Sequence, residues 1–324
     1  MASRRHRPTP FALLVLALLA IPATAGAAGI ERRFDVAPGG RLEVDSEGAA
    51  VSITTAESGG GARVTITRGT DDEEDILDDY RLDMTQDGDR LRIELERRRP
   101  WRLFDWRQSP EIEIELPRRF EVDVVTSGGA VSIEDLDGPV DARTSGGAIA
   151  LAAIGGPVLA STSGGSIRLV SSDGDADLRT SGGSISIGAV EGTVRARTTG
   201  GSISIERATG PVTAITSGGS IEIEEVRGAV TAETSGGSVR AYLSEPPGAD
   251  SQLRTSGGGI TVVLDEGIGV DVDARSTSRV TSEFAVAAGG DSRDEDDELY
   301  GPINGGGPAL VLRSSGGGIR ILRR

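Results

Sequence analysis

From Thr126 onward, apolar and polar residues alternate on a fixed clock. With a threonine as position zero, 18-residue copies begin at Thr126, Thr144, Thr162, Thr180, Thr198, Thr216 and Thr234. Positions five and seven are Ile, Val or Leu in almost every copy, as in Ile185 and Ile187, and positions fourteen and sixteen are Val, Ala or Leu, as in Val194 and Ala196. Period two is the mark of a strand with one buried face. Each unit therefore holds two short strands, one like "SISIE" and one like "PVTART". Positions two and three are Gly-Gly in all copies and position twelve is a single Gly. These are the corners, and the expectation is that the Gly-Gly corner uses the positive φ open to glycine.

A constant unit length with constant inward positions is what a coil needs to stack on itself. Each coil would lie about 4.8 Å above the last, in register. A slip of one residue would turn the Ile/Val stripe outward. The threonine shares parity with Val and Ala, so it should point inward or line the corner, with its hydroxyl bonded to its neighbours or to turn carbonyls. A hexapeptide helix needs apolar residues every six positions, which this unit lacks, and a calcium-binding roll needs Asp in its GGxGxD turn, where this chain has "SGGSI". The pattern thus predicts an all-β fold: a right-handed parallel β-helix of 18-residue coils with two short strands per coil, its hand taken from the general rule for parallel crossovers.

The clock continues less strictly. "LRTSGGGITV" follows a lengthening at 245–250 that contains Glu245-Pro246-Pro247, Ser276 opens a worn copy, and Ser314 opens a good one. Upstream, "LEVDSEGAAVSI" and "LDMTQDGDRLRI" show the same alternation. Residues 26–120 read as a less regular β-rich part with a cap, and 121–324 as the repeat domain. "DDEEDILDDY" at 71–80 reads as an acidic loop or short helix, and 289–307 as a Gly- and acid-rich loop between the last two coils.

Composition sharpens this picture. Aromatics are only 3% of the chain while Gly reaches 47, which suits a turn-rich repeat rather than an aromatic-filled core. Residues 1–25 form a signal peptide by pattern: Arg4, Arg5 and Arg7, an apolar run from Phe11 to Ile21, then Ala23-Thr24-Ala25. That run is shorter than the roughly 20 residues a membrane span requires. Cleavage would remove three arginines and no acids, taking the net charge from −16 to −19. The expected product is exported, periplasmic or secreted, with no stable membrane insertion after cleavage. Its acidity disfavours nucleic acid as a partner.

The residues past the leader contain no His, Cys or Lys. This excludes Ser-His-Asp, Cys-His and Ser-Lys catalysis, Schiff bases, and thiolate or imidazole metal sites. No cofactor is implied. Carboxylate chemistry remains. Glu222 and Glu224 should lie about 7 Å apart along one strand, with Glu206 beneath Glu224. That spacing suits paired glycosidase carboxylates. Arg240 above Glu222, and Arg195 above Asp177, offer a plainer explanation as cross-coil charge pairs. Asp173, Asp175 and Asp177 fall on the ordinary repeat and make no calcium loop.

The segment "RRRPWRLFDWRQSP" at 97–110 holds both tryptophans. In a chain so poor in aromatics, Trp101, Arg102, Phe104, Trp106 and Arg107 are the candidate contact residues. The same segment would also serve as an end cap, because an open strand edge templates aggregation.

Several stretches together resemble a known bacterial family. They are the leader, "IEIELPRRFEVDVVTSGGAVSI" at 112–133, the "TSGGSI" array, "VDARSTSRVTSEFAV", and "GPINGGGPALVLRSSGGGIRI". The chain is similar, from about Ile30 to Arg324, to the putative adhesin group of β-strand-repeat proteins, a domain of unknown function. The resemblance implies a right-handed β-helix, an envelope or secreted location and no established catalytic residues. The expected function is a non-catalytic, adhesin-like β-helix that offers a surface to an envelope, glycan or protein partner. The alternative is a carboxylate-dependent polysaccharide hydrolase or lyase.

Overall fold

In a computed structural model the described residues are 29–56, 61–98, 109–286 and 297–324. They form two sheets of 14 strands each. Sheet 1 takes the strand that follows each Gly-Gly corner, and sheet 2 takes the strand that ends at each threonine. Within the array both sheets are parallel and the register is 18 residues: Ile185 pairs with Ile203 and Ile187 with Ile205, while Val194 pairs with Val212 and Ala196 with Ala214. The sequence pattern predicted this register.

The core lies between the sheets. Sheet 1 contributes the large aliphatics such as Ile185, Ile187, Ile203 and Ile205, and sheet 2 the smaller Val194, Ala196, Val212 and Ala214, all buried. A further buried column, at position ten, was not anticipated from the alternation. Leu136, Ile154, Val190, Ala208 and Val226 fill the corner where the chain leaves sheet 1. In the copy that carries Ser172 there, the hydroxyl oxygen lies 2.9 Å from the Gly156 carbonyl oxygen.

The threonines form a ladder. Thr180 Oγ1 donates to the carbonyl of Gly165 in the coil below at 2.7 Å and accepts from the Gly183 N–H of its own corner at 3.3 Å. Thr198, Thr216 and Thr234 repeat both bonds. Buried carbonyls need such partners. A parallel ladder at position four joins the exposed serines, with the N–H of Ser202 donating to Ser184 Oγ at 3.2 Å.

The corner glycines require a correction. The positive-φ glycines among the described residues, such as Gly39, Gly48 and Gly88, lie outside the Gly-Gly pairs of the array. The pair is needed for close approach. A Cβ on Gly183 would lie 2.1 Å from the carbonyl oxygen of Gly165, whereas one on Gly182 would lie 3.2 Å from that of Gly164. The second glycine of each pair stacks backbone on backbone with its counterpart below, leaving no room for a side chain.

The order of coils at both ends departs from chain order. Strand Gly40–Ser46 lies between Arg90–Arg97 and Phe120–Thr126, so the first coil of the chain sits inside the second. At the other end Ala309–Ser314 lies between Ser251–Thr255 and Val270–Ser276. Likewise Ile319–Arg323 lies between Ile260–Leu264 and Val280–Ser282. The last coil of the chain is therefore an interior coil of the stack.

The ends carry antiparallel strands. "LDMTQDGDRLRI" is not a coil but a hairpin of Tyr80–Asp87 on Arg90–Arg97, turning at Gly88 with φ 59. The acidic stretch at 71–80 contains helix α1, Glu73–Asp79, capped by the Asp72 carboxylate, which accepts from the Asp75 N–H. Glu73, Glu74 and Asp75 in the first turn complement the helix dipole. Beside it Arg68, with 3% side-chain exposure, bonds Asp71 at 2.6 Å and Asp79 at 2.9 Å. Burial lowers the affinity of this guanidinium for its proton, but the bonds to the two carboxylates outweigh that and its pKa is raised.

Within 289–307, read above as a loop, Glu298–Ile303 is a strand antiparallel to Val270–Ser276. The carbonyls and N–H groups of that coil edge are thereby paired. The edge strands are poor templates for a second rod: Ile30–Phe34 carries Glu31, Arg32 and Arg33, and Glu298–Ile303 carries Gly301 and Pro302.

Candidate binding surfaces

The expected contact residues Trp101, Arg102, Phe104, Trp106 and Arg107 lie outside the described residues. Their point of departure is described. Leu95 pairs with Ser46 and Glu111 pairs with Ala50. Four residues of the neighbouring coil, spanning its Gly48 corner, thus correspond to a 16-residue step here. The last described residue before the insertion, Arg98, lies beside the end of α1, its N–H donating to the Asp79 carbonyl at 2.9 Å. An open depression of about 680 Å³ there is lined by Glu73, Glu74, Leu77, Asp78 and Arg98.

The outward face of sheet 1 brings the predicted carboxylates together. Glu222 pairs in register with Arg240, and both line a shallow depression of about 330 Å³ with Glu224, Tyr242 and Arg324. Tyr242 was missed in the sequence, although it occupies the outward position eight of the last strict copy. Its ring lies 4.4 Å from the Arg324 guanidinium, and its hydroxyl donates to Asp265 at 2.9 Å while accepting from Arg324. Burial raises the pKa of Tyr242; the Arg324 bond opposes this and the Asp265 bond adds to it. The phenol therefore stays protonated near neutral pH. Glu222 and Glu224 both stand in solvent. A general acid of a glycosidase is usually held in a drier setting that keeps its proton.

Sheet 2 is patterned differently. Its outward columns are positions fifteen and seventeen of the unit. The first runs Glu43, Asp123, Asp141, Leu159, Asp177, Arg195, Thr213 and Thr231 up the stack, and the second runs Asp45, Val125, Arg143, Ser161, Arg179, Arg197, Ile215 and Glu233. A depression of about 360 Å³ crosses the first column between Arg41 and Arg195, with Leu159 in its floor. Burial pushes the Asp141 carboxyl up; Arg143 works against this, and Asp123 one coil below adds to it. Asp141 Oδ1 and Asp177 Oδ1 are buried without a hydrogen-bond partner.

The charge pairs run along strands where the sequence suggested cross-coil pairs. Asp177 bonds Arg179 on its own strand at 2.6 Å, rather than Arg195 above it, and Asp141 bonds Arg143 in the same way. A long Arg stacked directly on a short Asp overshoots its carboxylate, whereas one lying along the strand meets it. Pairs between coils also form, directly as in Arg41–Glu121 at 2.7 Å and Arg207–Glu225 at 3.2 Å, and on the diagonal as in Arg41–Asp123 at 3.6 Å. Among the described residues no cluster of three or more acidic, His or Cys side chains is arranged to hold a metal ion. Asp175, within the "DGDADL" stretch, instead accepts from the Thr193 N–H one coil above at 2.7 Å.

A family model, Toastrack DUF4097, matches residues 40–317. The chain belongs to the Toastrack DUF4097 family. A search of the curated proteins finds no match. Among solved structures, this Toastrack chain is similar to a putative adhesin from Parabacteroides distasonis, at 12% identity and TM-score 0.43, covering 91% of this chain and 97% of that one. It is also similar to a putative adhesin from Bacteroides fragilis, at 13% identity and TM-score 0.35, covering 92% and 98%. A further similarity is to a putative lipid binding protein from Parabacteroides distasonis, at 13% identity and TM-score 0.34, covering 91% and 97%. None is similar enough to carry a residue's role over to this Toastrack chain.

Proposed function

We propose that this Toastrack chain is an exported, non-catalytic, adhesin-like β-helix that presents its outward faces to an envelope component, a glycan or a protein. The coil sense is taken as right-handed, following the rule for parallel crossovers, and the leader at 1–25 directs export. The observation that carries the reading is the surface itself. Both sheets offer flat columns of side chains repeating at the coil rise, and their depressions are open and shallow. The segment 97–107 adds the aromatic and arginine residues Trp101, Arg102, Phe104, Trp106 and Arg107 as contact candidates. Loops on a rigid scaffold are where binding residues concentrate.

The second reading, a carboxylate-dependent hydrolase or lyase, is favoured by one observation: Glu222, Glu224 and Tyr242 line a common depression. One experiment separates the two. The chain from residue 26 onward is incubated with envelope fractions and a polysaccharide panel, and both retention and product release are measured. Retention without product is expected. Deleting 97–107 should weaken retention about tenfold or more, as loss of a cluster of aromatic and Arg anchors does, while the circular dichroism stays unchanged. Product release by the wild type that Glu222→Gln or Glu224→Gln abolishes would establish the enzyme instead.

A further inference from the structure

One coil breaks the charge-pairing rule of sheet 2. In the position-seventeen column, Arg143 is paired with Asp141, Arg179 with Asp177, and Arg275 with Asp273, each two residues back on its own strand. Arg313 is paired with Asp273 on the adjacent strand. Arg254, with the Gln252 amide turned to face it, is held by that amide oxygen. In the coil of strand Val194–Arg197 the residue two positions back is itself an arginine. Arg195 and Arg197 make no ion pair and no side-chain hydrogen bond among the described residues. Arg179 lies directly beneath Arg197 and Asp177 beneath Arg195.

Three guanidiniums and one carboxylate thus share a patch two coils high. The strand spacing of about 4.8 Å and the two-residue step of about 6.7 Å set its size. Like charges this close repel, and a fold that pairs its other arginines in this column gains nothing structural from leaving two bare. At physiological salt a charge is felt over about 8 Å. Asp175 borders the same depression as Asp177 and Arg195, so three positive and two negative charges meet here and the patch is positive, although the whole chain carries −16. The wider negative field repels a densely charged polymer such as a nucleic acid. It tolerates a single anionic group on an otherwise neutral chain.

The flanks fit such a chain. Leu159 lies one coil below Asp177, and Thr213 and Ile215 lie one coil above Arg195 and Arg197. Leu159 and Ile215 are half-buried. They present small apolar areas of the size of a sugar's C–H face, too small to cover an acyl chain. Leu159 and Arg195 also border the same depression, whose wall below Arg195 carries Asp141, Asp175 and Asp177, so a carboxylate can enter it only at its Arg195 end.

We propose that Arg179, Arg195 and Arg197 form a recognition site for a carboxylate-bearing sugar within a mostly neutral glycan, with Leu159 and Ile215 under the neighbouring rings. This rests on the binding reading above and names the chemistry of one of its ligands. The carboxylate would accept from the planar guanidinium forks, which suit that geometry.

The test is titration of a trisaccharide with one uronic acid on two neutral pentoses, its methyl ester and inorganic phosphate into the wild type and into Arg195→Gln/Arg197→Gln. The double variant should fold normally, because it removes the repelling charges of an exposed Arg195 and a half-buried Arg197 that have no partner among the described residues. The acidic trisaccharide should bind the wild type at about millimolar strength and the double variant about tenfold more weakly, with wild-type binding falling as salt rises. The methyl ester should bind about tenfold more weakly than the acid. No binding of the acidic trisaccharide, equal binding by the double variant, equal binding of the ester, or phosphate binding as tightly as the acid would each overturn the proposal. Retention of envelope fractions is measured alongside. Retention that persists while the acidic trisaccharide fails defeats this site alone. Retention that is absent while the acidic trisaccharide binds defeats the wider reading and leaves the site standing.

Discussion

Deleting residues 309–324 should strip protection from amides 260–282 and melt that end of the rod well below the rest. In a solenoid built in chain order, removing the last coil exposes one face of the coil before it. Here the last coil is interior. Leu310, Leu312, Ile319 and Ile321 are each fully buried, and at roughly 1.5–3 kcal/mol per aliphatic side chain their loss is worth about 6–12 kcal/mol. The damage spreads, because Val280–Ser282 pairs with no strand except Ile319–Arg323 among the described residues, and Val270–Ser276 loses its parallel neighbour. Hydrogen exchange read strand by strand checks this. Protection of 270–282 equal to that in the whole chain would show that this coil can drop into the vacated slot, and would remove the claim that the ends are locked by their order.

The second large effect is at the corners. Gly183→Ala should cost about 3 kcal/mol or more, at or beyond the upper range for overpacking, because the atom it strikes is backbone of the coil below and cannot rotate away. Gly182→Ala should cost less than about 1 kcal/mol. Its Cβ would sit 3.2 Å from the Gly164 oxygen, a small displacement, and the alanine also loses less entropy on folding. Chemical unfolding of the two variants, with the equivalent pair at Gly200 and Gly201, checks the contrast. If glycine served here for its freedom in φ, both positions would suffer alike. Equal losses would therefore refute the stacking explanation.

These two effects also mark what the sequence could and could not reveal. The inward residues were legible because burial forces period two, and the register was legible because the unit length never varies. Ile185 over Ile167 follows from those facts alone. The coil order was not legible. "ALVLRSSGGGIRI" presents the same inward pattern as any other coil, so it fits any slot in the stack, and the pattern says which residues face in but not which coil lies on which. The position-ten column was missed because the chain changes parity as it leaves sheet 1, so Val190 belongs to neither alternating run. The reason for the glycines was misjudged because a Gly-Gly pair reads identically whether it serves a left-handed turn or a close contact.

The candidate surfaces were legible in a different measure. Glu222 and Glu224 were found from spacing, and the structure places them in one depression. Tyr242 was overlooked because attention to inward positions passes over a lone outward aromatic. The unpaired Arg195 and Arg197 needed the structure. In the sequence Arg195 simply stands above Asp177, and only the fold shows that Asp177 is already taken by Arg179. The aromatic insertion stood out from composition alone, since composition is blind to fold and needs none.

The central claim is that the strict array is scaffold whose interchangeable unit is one coil. It is tested most directly by two deletions. Removing residues 216–233, one whole unit, joins Ile215 to Thr234 and restores every inward position. Removing 216–232 leaves one residue too many and turns the following stripe out of register. The thermal unfolding of both, with hydrogen exchange across the junction, should show the 18-residue deletion folded and melting within a few degrees of the wild type, and the 17-residue deletion unprotected around the junction. Equal tolerance of both deletions, or collapse of the whole-unit deletion, would contradict the account.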